Sequence, residues 1–182
     1  MCVRIDDWDS RSREALLCEG WREIEILDVY RRKTIEKASC PTIHAYESKD
    51  RDALEDVVLK SGGSGRLYSD PKVDNEEADK ARLWWFRRYL SDPQIDISVT
   101  DGATGFCAVK RQSPRARIEM IGVHPDYRGK GLGFLLVAAA LDSCDGSISH
   151  VLAGTSSTNY AARRLYDSAE FFLNASYRTF HK

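Results

Sequence analysis

Residues 123 to 143, VHPDYRGKGLGFLLVAAALDS, constrain this chain more than any other stretch: three glycines and two cations stand at the mouth of an apolar helix. Leu132, Leu135, Leu136, Ala139 and Ala140 fall at helical spacing and predict its buried stripe. The first turn of a helix leaves backbone N–H groups without partners, and the helix dipole adds partial positive charge there, so an anion can sit on the helix start. Gly129, Gly131 and Gly133 let the backbone approach such an anion and adopt dihedrals closed to other residues, while Arg128 and Lys130 add full charge. A phosphate fits this turn. A nucleoside triphosphatase loop does not, since Lys130 is followed by Gly131 where Ser or Thr is needed. The dinucleotide fingerprint also fails, because its glycines are spaced differently within a parallel βαβ unit. Taken alone, the turn leaves open the plainer alternative of a glycine-rich strand-to-helix connection carrying two solvated cations.

The surrounding pattern predicts a mixed α/β architecture. Residues 11 to 19 predict a short helix, and WREIEILDVYRR after Gly20 predicts a half-buried strand on the period-two positions Ile24, Ile26, Asp28 and Tyr30. TIHAYES is a weaker strand. KDRDALEDVVLK predicts a helix closed by SGGSG, the best linker candidate in the chain. NEEADKARLWWFRRYLS predicts a longer helix with Ala78, Ala81, Trp85 and Tyr89 on one face, and Pro93 beyond its end. Trp84, Trp85 and Phe86 are read as core and helix-packing residues. Two strands hinged on Asp101-Gly102 follow, then ARIEMIGV, the glycine-turn helix, the strand SHVLAGTS, the helix NYAARRLYDSA and the strand FFLNASYRTFH. No internal repeat is legible, and His181-Lys182 reads as a solvated end.

A length of 182 residues suits one core. The formal charge of -1 gives no bias toward nucleic acid or an anionic membrane, so any basic site is local. Cys2, Cys18, Cys40, Cys107 and Cys144 form no C-x-x-C pair or Cys/His cluster, which argues against a disulfide framework and a structural zinc site and predicts reduced, mostly buried thiols. The acidic start MCVRIDDWDSRSRE is unlike a signal peptide, and no segment approaches a membrane span; a cytoplasmic protein is expected.

Val123, Pro125, Arg128, Gly129, Gly131 and Gly133 together reproduce V-x-P-x-x-R-G-x-G-x-G, and here the chain resembles the GNAT superfamily of acyl-CoA-dependent N-acetyltransferases. GTSSTNYAARRLYDSAEFF is similar to the second signature of that family, an Asn followed by a helix carrying Leu-Tyr and then a phenylalanine strand, so the resemblance covers residues 95 to 182. More loosely, WDS, LYSDP and the tryptophan-bearing helix are similar to acetyltransferases of nucleotide-linked deoxyamino sugars, of the TDP-fucosamine kind.

The resemblance implies one GNAT-like domain over 1–182: a mostly antiparallel mixed sheet flanked by helices and splayed at the acyl-CoA site, with an acceptor half at 1–94 and an acetyl-CoA half at 95–182. It implies that amides of residues 128 to 133, Leu132 among them, take the pyrophosphate of acetyl-CoA, that Ile121 and Val123 present a strand edge to the pantetheine arm, and that Asn159 contacts the cofactor. Tyr166 is implied to protonate the departing thiolate. A phenol of pKa about 10 can hydrogen-bond to a thiolate whose acid has a pKa near 8.5. No metal is called for. Where the family has Gly-Phe this chain has Glu170-Phe171, which puts the local turn in doubt. The pattern fixes no base; Glu119, read as sharing a strand face with Ile121 and Val123, and His124 are the candidates, each with a plain surface or turn role as its alternative. The expected acceptor is a primary amine on a small molecule, with a nucleotide-linked amino sugar as the narrower reading. A peptide amine, or a non-catalytic acyl-CoA-binding module, remains open, and nothing in the sequence sets the oligomeric state.

Overall fold

Strand structure begins earlier than the patterning suggests. In the computed structural model, which describes residues 1–34 and 42–182, Cys2–Asp6 forms β1, ahead of α1 (Ser10–Cys18) and β2 (Arg22–Lys33). Next come β3 (Ile43–Ala45), α2 (Arg51–Lys60), a short α3 (Arg66–Ser69) and α4 (Asn75–Tyr89). β4 (Ile95–Thr100) and β5 (Gly105–Gln112) form the hairpin expected at Asp101-Gly102, and β6 (Arg115–Val123), α5 (Leu132–Asp142), β7 (His150–Ser156), α6 (Tyr160–Ser168) and β8 (Phe172–His181) complete the order. Local chemistry sets the helix starts. Asp9, Asp74 and Asn159 accept the backbone N–H of Ser12, Glu77 and Ala162 and so cap α1, α4 and α6.

The strands form one sheet in the order β1-β8-β2-β7-β6-β5-β4-β3, and every pair is antiparallel except β6 with β7. This is the mixed, mostly antiparallel architecture that the sequence predicts. Alternation along the strands feeds two cores. Cys107, Val109, Ala116, Ile118, Val151 and Ala153 pack against α5 and α6 on one face, and Ile97, Val99, Phe106, Ala108 and Met120 pack against α2 and α4 on the other.

The first unit of the fold repeats at its end. β1-α1-β2 and β7-α6-β8 interleave, so that β1 and β2 flank β8 while β8 and β7 flank β2. Leu27 pairs with Tyr177, Asp6 with Tyr177 and Leu27 with Ser156; Cys2 pairs with His181 and Arg31 with Leu152. These are the registers of a two-fold relation between counterparts at a fixed offset in sequence. Bulges fall at counterpart positions too, Ile24 in β2 and Asn174 in β8. The N–H of Trp21 bonds the carbonyl of Leu16 at 3.0 Å, and that of Phe171 bonds Tyr166 at 2.9 Å. Sequence reasoning misses the repeat because, across the matched positions, only Arg13 and Arg163 are identical. The turn in doubt at Glu170 is settled by the same comparison: Glu170 adopts φ 58°, near the 80° of its counterpart Gly20, and Arg32 holds it through the Ala169 carbonyl at 2.6 Å and the Glu170 carboxylate at 3.0 Å.

Three further expectations need correction. The fully buried positions of α5 are Leu136, Val137, Ala140 and Leu141, whereas Leu132, Leu135 and Ala139 are half-buried: Leu132 and Leu135 stand in the first turn, at the open end of the sheet, and Ala139 lines a surface pocket beside β3 and β4. His181 is no solvated end: its Nδ1 lies 2.7 Å from Asp70 Oδ2, and Asp70 also pairs with Arg22, tying the last strand to β2 and the segment after α3. Of the cysteines, Cys107 and Cys144 are buried free thiols but Cys2 and Cys18 are exposed; Cys40 lies outside the described residues.

Candidate active site

The sheet opens where its one parallel pair ends. β6 and β7 pair from Arg115–His150 to Ile118–Ala153 and no further, although β6 stays paired with β5 to Val123 and β7 with β2 to Ser156. Residues 119–123 therefore present a free strand edge, and α5 and α6 both start at the mouth of this split. It is the splay that the resemblance implies. Ile121 and Val123 side chains pack toward α5 and α6, half-buried.

The glycine turn stands at that mouth. Gly129 and Gly131 take φ 76° and 78°, and a side chain built at either would meet nothing within 4 Å. Gly131 is the N-cap of α5 and offers no side-chain bond to the first turn, unlike the caps of α1, α4 and α6. The leading amides of α5, Leu132 included, are thus left for an outside acceptor. Gly133 has a different reason to be glycine: a Cβ there would lie 3.3 Å from Leu165, so it allows α5 to pack on α6. Arg128 donates to the Val123 carbonyl at 3.2 Å, and the Lys130 ammonium lies 4.8 Å from the Tyr127 ring centroid. The open space and the uncapped amides fit a pyrophosphate.

Tyr166 lies beneath the split, 2% exposed, with its ring centroid 5.6 Å from those of Tyr30 and Phe171. Burial first, and the neighbouring Cys107 second, push its phenol far above the usual value and keep it a neutral donor.

The model of the acetyltransferase (GNAT) family matches residues 53–171. The chain belongs to the GNAT acetyltransferase family. An L-amino acid N-acyltransferase, MnaT, of Escherichia coli is 31% identical over 116 residues, 60% of this chain and 66% of that protein. The spore coat polysaccharide biosynthesis protein SpsD of Bacillus subtilis is 24% identical over 139 residues, 74% of this chain and 48% of that protein. The chain thus spans 66% and 48% of the length of these two relatives. Among solved structures, yncA of Salmonella typhimurium, described with its cofactor acetyl-CoA, superposes with a TM-score of 0.52 at 23% identity, over 78% of this chain and 92% of that one.

Within this GNAT fold the remaining sequence candidates divide. Asn159 starts α6 at the mouth, but its amide is engaged: Oδ1 caps Ala162 and Nδ2 donates to Ser64 Oγ at 3.2 Å. Asn159 and Tyr166 do not face one groove equally, since Asn159 is half-buried at the rim and Tyr166 is deep in the core. Glu119 is not on the face of Ile121 and Val123. A bulge between the pairs Val109–Ile118 and Ala108–Met120 leaves Glu119 as the extra residue and turns it toward α4, where it lies against Arg117 at 2.7 Å. His124 is drawn away from the edge: Nε2 is 3.5 Å from Asp56 and Nδ1 accepts the Asp126 N–H at 3.3 Å.

Sequence reasoning missed the part played by SGGSG. The segment is no free linker but spans the mouth of the split, with Ser61 against Gly122 of β6 and Ser64 bonded to Asn159 at the head of α6. Its glycines were the available signal; what they approach is set by long-range packing.

Proposed function

We propose that the protein is an acetyl-CoA-dependent N-acetyltransferase acting on the primary amine of a small molecule, as a single folding unit. The observation that carries this reading is the meeting at one mouth of the uncapped amides behind Gly129 and Gly131 and the free edge at residues 119–123, with the phenol of Tyr166 buried behind them near Cys107, the strand partner of Ile121. Acetyl-CoA supplies an activated acyl thioester, the cofactor named for the related yncA fold. The amides of residues 128 to 133 hold its pyrophosphate, with Arg128 and Lys130 adding charge, so binding is expected to persist in EDTA. The β6 edge pairs with the pantetheine arm through Ile121 and Val123, and the second N–H of the Asn159 amide serves the same ligand.

A backbone N–H of the edge donates to the thioester oxygen as negative charge gathers there. Glu119, on the opposite face, accepts the proton of the attacking amine, directly or through water. Tyr166 donates its proton toward the departing sulfur. The acyl donor and the amine then approach from opposite sides of the sheet. The narrower acceptor is a nucleotide-linked amino sugar; SpsD, by its name a polysaccharide-biosynthesis protein, favours a sugar, and MnaT, an amino-acid acyltransferase, favours an amino acid. A cytoplasmic place of action goes with this reading.

The test is release of coenzyme A thiol, with mass detection of the product, across TDP-linked amino sugars, amino acids and lysine peptides. Acetylation of a small-molecule amine supports the reading. Tight binding of acetyl-CoA with no transfer to any amine would instead make the protein a binding module, and turnover of peptides alone would remove the sugar and the amino acid.

A further inference from the structure

Three aromatic residues and an excess of cations line a cleft that opens at Glu119. α4, the start of β4, the end of β5 and β6 enclose about 720 Å³, a volume suited to a small organic ligand. Trp84, Trp85 and Tyr89 form one wall. Trp84 corrects the sequence expectation: Phe86 is core, but Trp84 is 56% exposed on the wall of the cleft. The Arg88 guanidinium lies 5.0 Å from its ring centroid.

The charges of the wall are unequal in their commitments. Arg87 is held by Glu55 at 2.6 Å and Lys110 by Asp92 at 3.2 Å. Arg117 is held by Glu119, both nitrogens reaching the one oxygen Oε1. Arg88 makes no salt bridge among the described residues, although its charge reaches Asp92 and, behind the Gln94 N–H and Lys110, helps hold that carboxyl below its usual range. The wall carries Arg87, Arg88, Lys110 and Arg117 against Asp92 and Glu119, so cations outnumber carboxylates, and the least committed of them lies beside an exposed indole. An anion with a flat or apolar face is what such a pair recognises.

The position of Glu119 joins this cleft to the chemistry. It is the bulged residue at which β6 leaves β7, so the cleft reaches the head of the free edge from the face opposite Ile121 and Val123. We infer that the cleft is the acceptor site and that it takes an amine carrying a carboxylate or phosphate and a planar or apolar face. Such a ligand replaces the Arg117–Glu119 pair group for group: its ammonium takes Glu119, and its anion takes the released Arg117 together with Arg88. Its flat face lies on Trp84. The inference rests on the reading of the protein as an N-acetyltransferase, and adds the acceptor class and the residues that select it.

The experiment compares wild type with Arg88→Gln and Trp84→Ala, both exposed enough for the fold to survive. Calorimetry without acetyl-CoA reads acceptor binding, and steady-state kinetics reads transfer, for an aromatic amino acid, its decarboxylated amine and a nucleotide-linked amino sugar. Either substitution is expected to weaken binding and raise KM for the anionic acceptors at least tenfold, with the KM of acetyl-CoA within twofold of wild type; the decarboxylated amine should bind poorly to all three proteins. Preference for the amino acid or for the sugar identifies the source of the anion. Unchanged acceptor affinity and KM in both variants would overturn the inference, as would equal turnover of the decarboxylated amine or preference for a lysine peptide. Absence of transfer in every protein, with the calorimetric differences intact, would sink the transferase reading and leave the cleft as an anionic-amine site.

Discussion

Replacing Tyr166 by Phe removes one oxygen from the centre of the structure and should leave almost everything else in place. The ring is 2% exposed and packs between Tyr30 and Phe171 with both centroid separations at 5.6 Å, contacts that Phe reproduces. Loss of one buried hydroxyl changes stability by about 1 kcal/mol, a small fraction of a domain's total. If the phenol donates to the departing sulfur, its loss should lower kcat by roughly 10² to 10⁴, or about 3 to 5.5 kcal/mol of barrier. The loss should appear in kcat and kcat/KM alike, because the interaction strengthens only as charge gathers on sulfur. Burial raises the phenol above its usual pKa, so the wild type should show no decline from this group up to about pH 10. Stopped-flow release of coenzyme A thiol, beside a thermal melt, measures both quantities. Near-normal kcat in a well-folded variant would refute the assignment and leave solvent as the proton donor; an unfolded variant with normal turnover per folded molecule would make Tyr166 structural.

Three more outcomes follow from the fold. Glu119→Gln should lower kcat about 10- to 10³-fold with acetyl-CoA affinity unchanged by calorimetry, because Glu119 faces away from the cofactor side; a matching loss of acetyl-CoA affinity would contradict the two-sided geometry. Asp70→Asn should cost about 3 kcal/mol at pH 7, since it strands Arg22 and His181 around a buried carboxamide. Arg22 chiefly holds the Asp70 carboxyl below its usual range, so its stabilisation is present above about pH 4 and fades as pH falls further; urea melts should show wild type and variant converging in acid. Deleting residues 1–33 should abolish cooperative folding, since β2 is the strand between β7 and β8; a cooperative melt of the remaining 34–182 would show that the rest of the chain folds without it.

The features that mark the candidate site in the sequence are local. The glycine turn, its cations and the apolar helix lie within one short run and are carried by spacing, whereas Asn159 and Tyr166 lie on one helix and enter through the family resemblance. What failed to show is long-range. One bulged residue in β6 reverses the face of Glu119, and no period-two reading of ARIEMIGV can find it. The partners of His181 and Ser64 are distant in sequence, and the two-fold repeat survives in caps, turns and registers rather than in side chains. Trp84 looked like core because it stands in the apolar run LWWF, although its own side of α4 carries the exposed Glu77, Lys80, Arg87 and Arg88; the cleft beside it exists only once β4 to β6 are in place.

Binding of the coenzyme A pyrophosphate by the turn at residues 128 to 133 can be read from the ratio of affinities for acetyl-CoA and acetyl-pantetheine, which lacks the pyrophosphate, in wild type and in Gly131→Val. Gly131 sits at φ 78° with open space where a Cβ would point, so valine both strains the cap and intrudes on the space that the phosphate needs. The account predicts a large ratio in wild type that collapses at least tenfold in the variant, with acetyl-pantetheine affinity little changed. Equal ratios in the two proteins, or losses that track melting temperature alone, would contradict it.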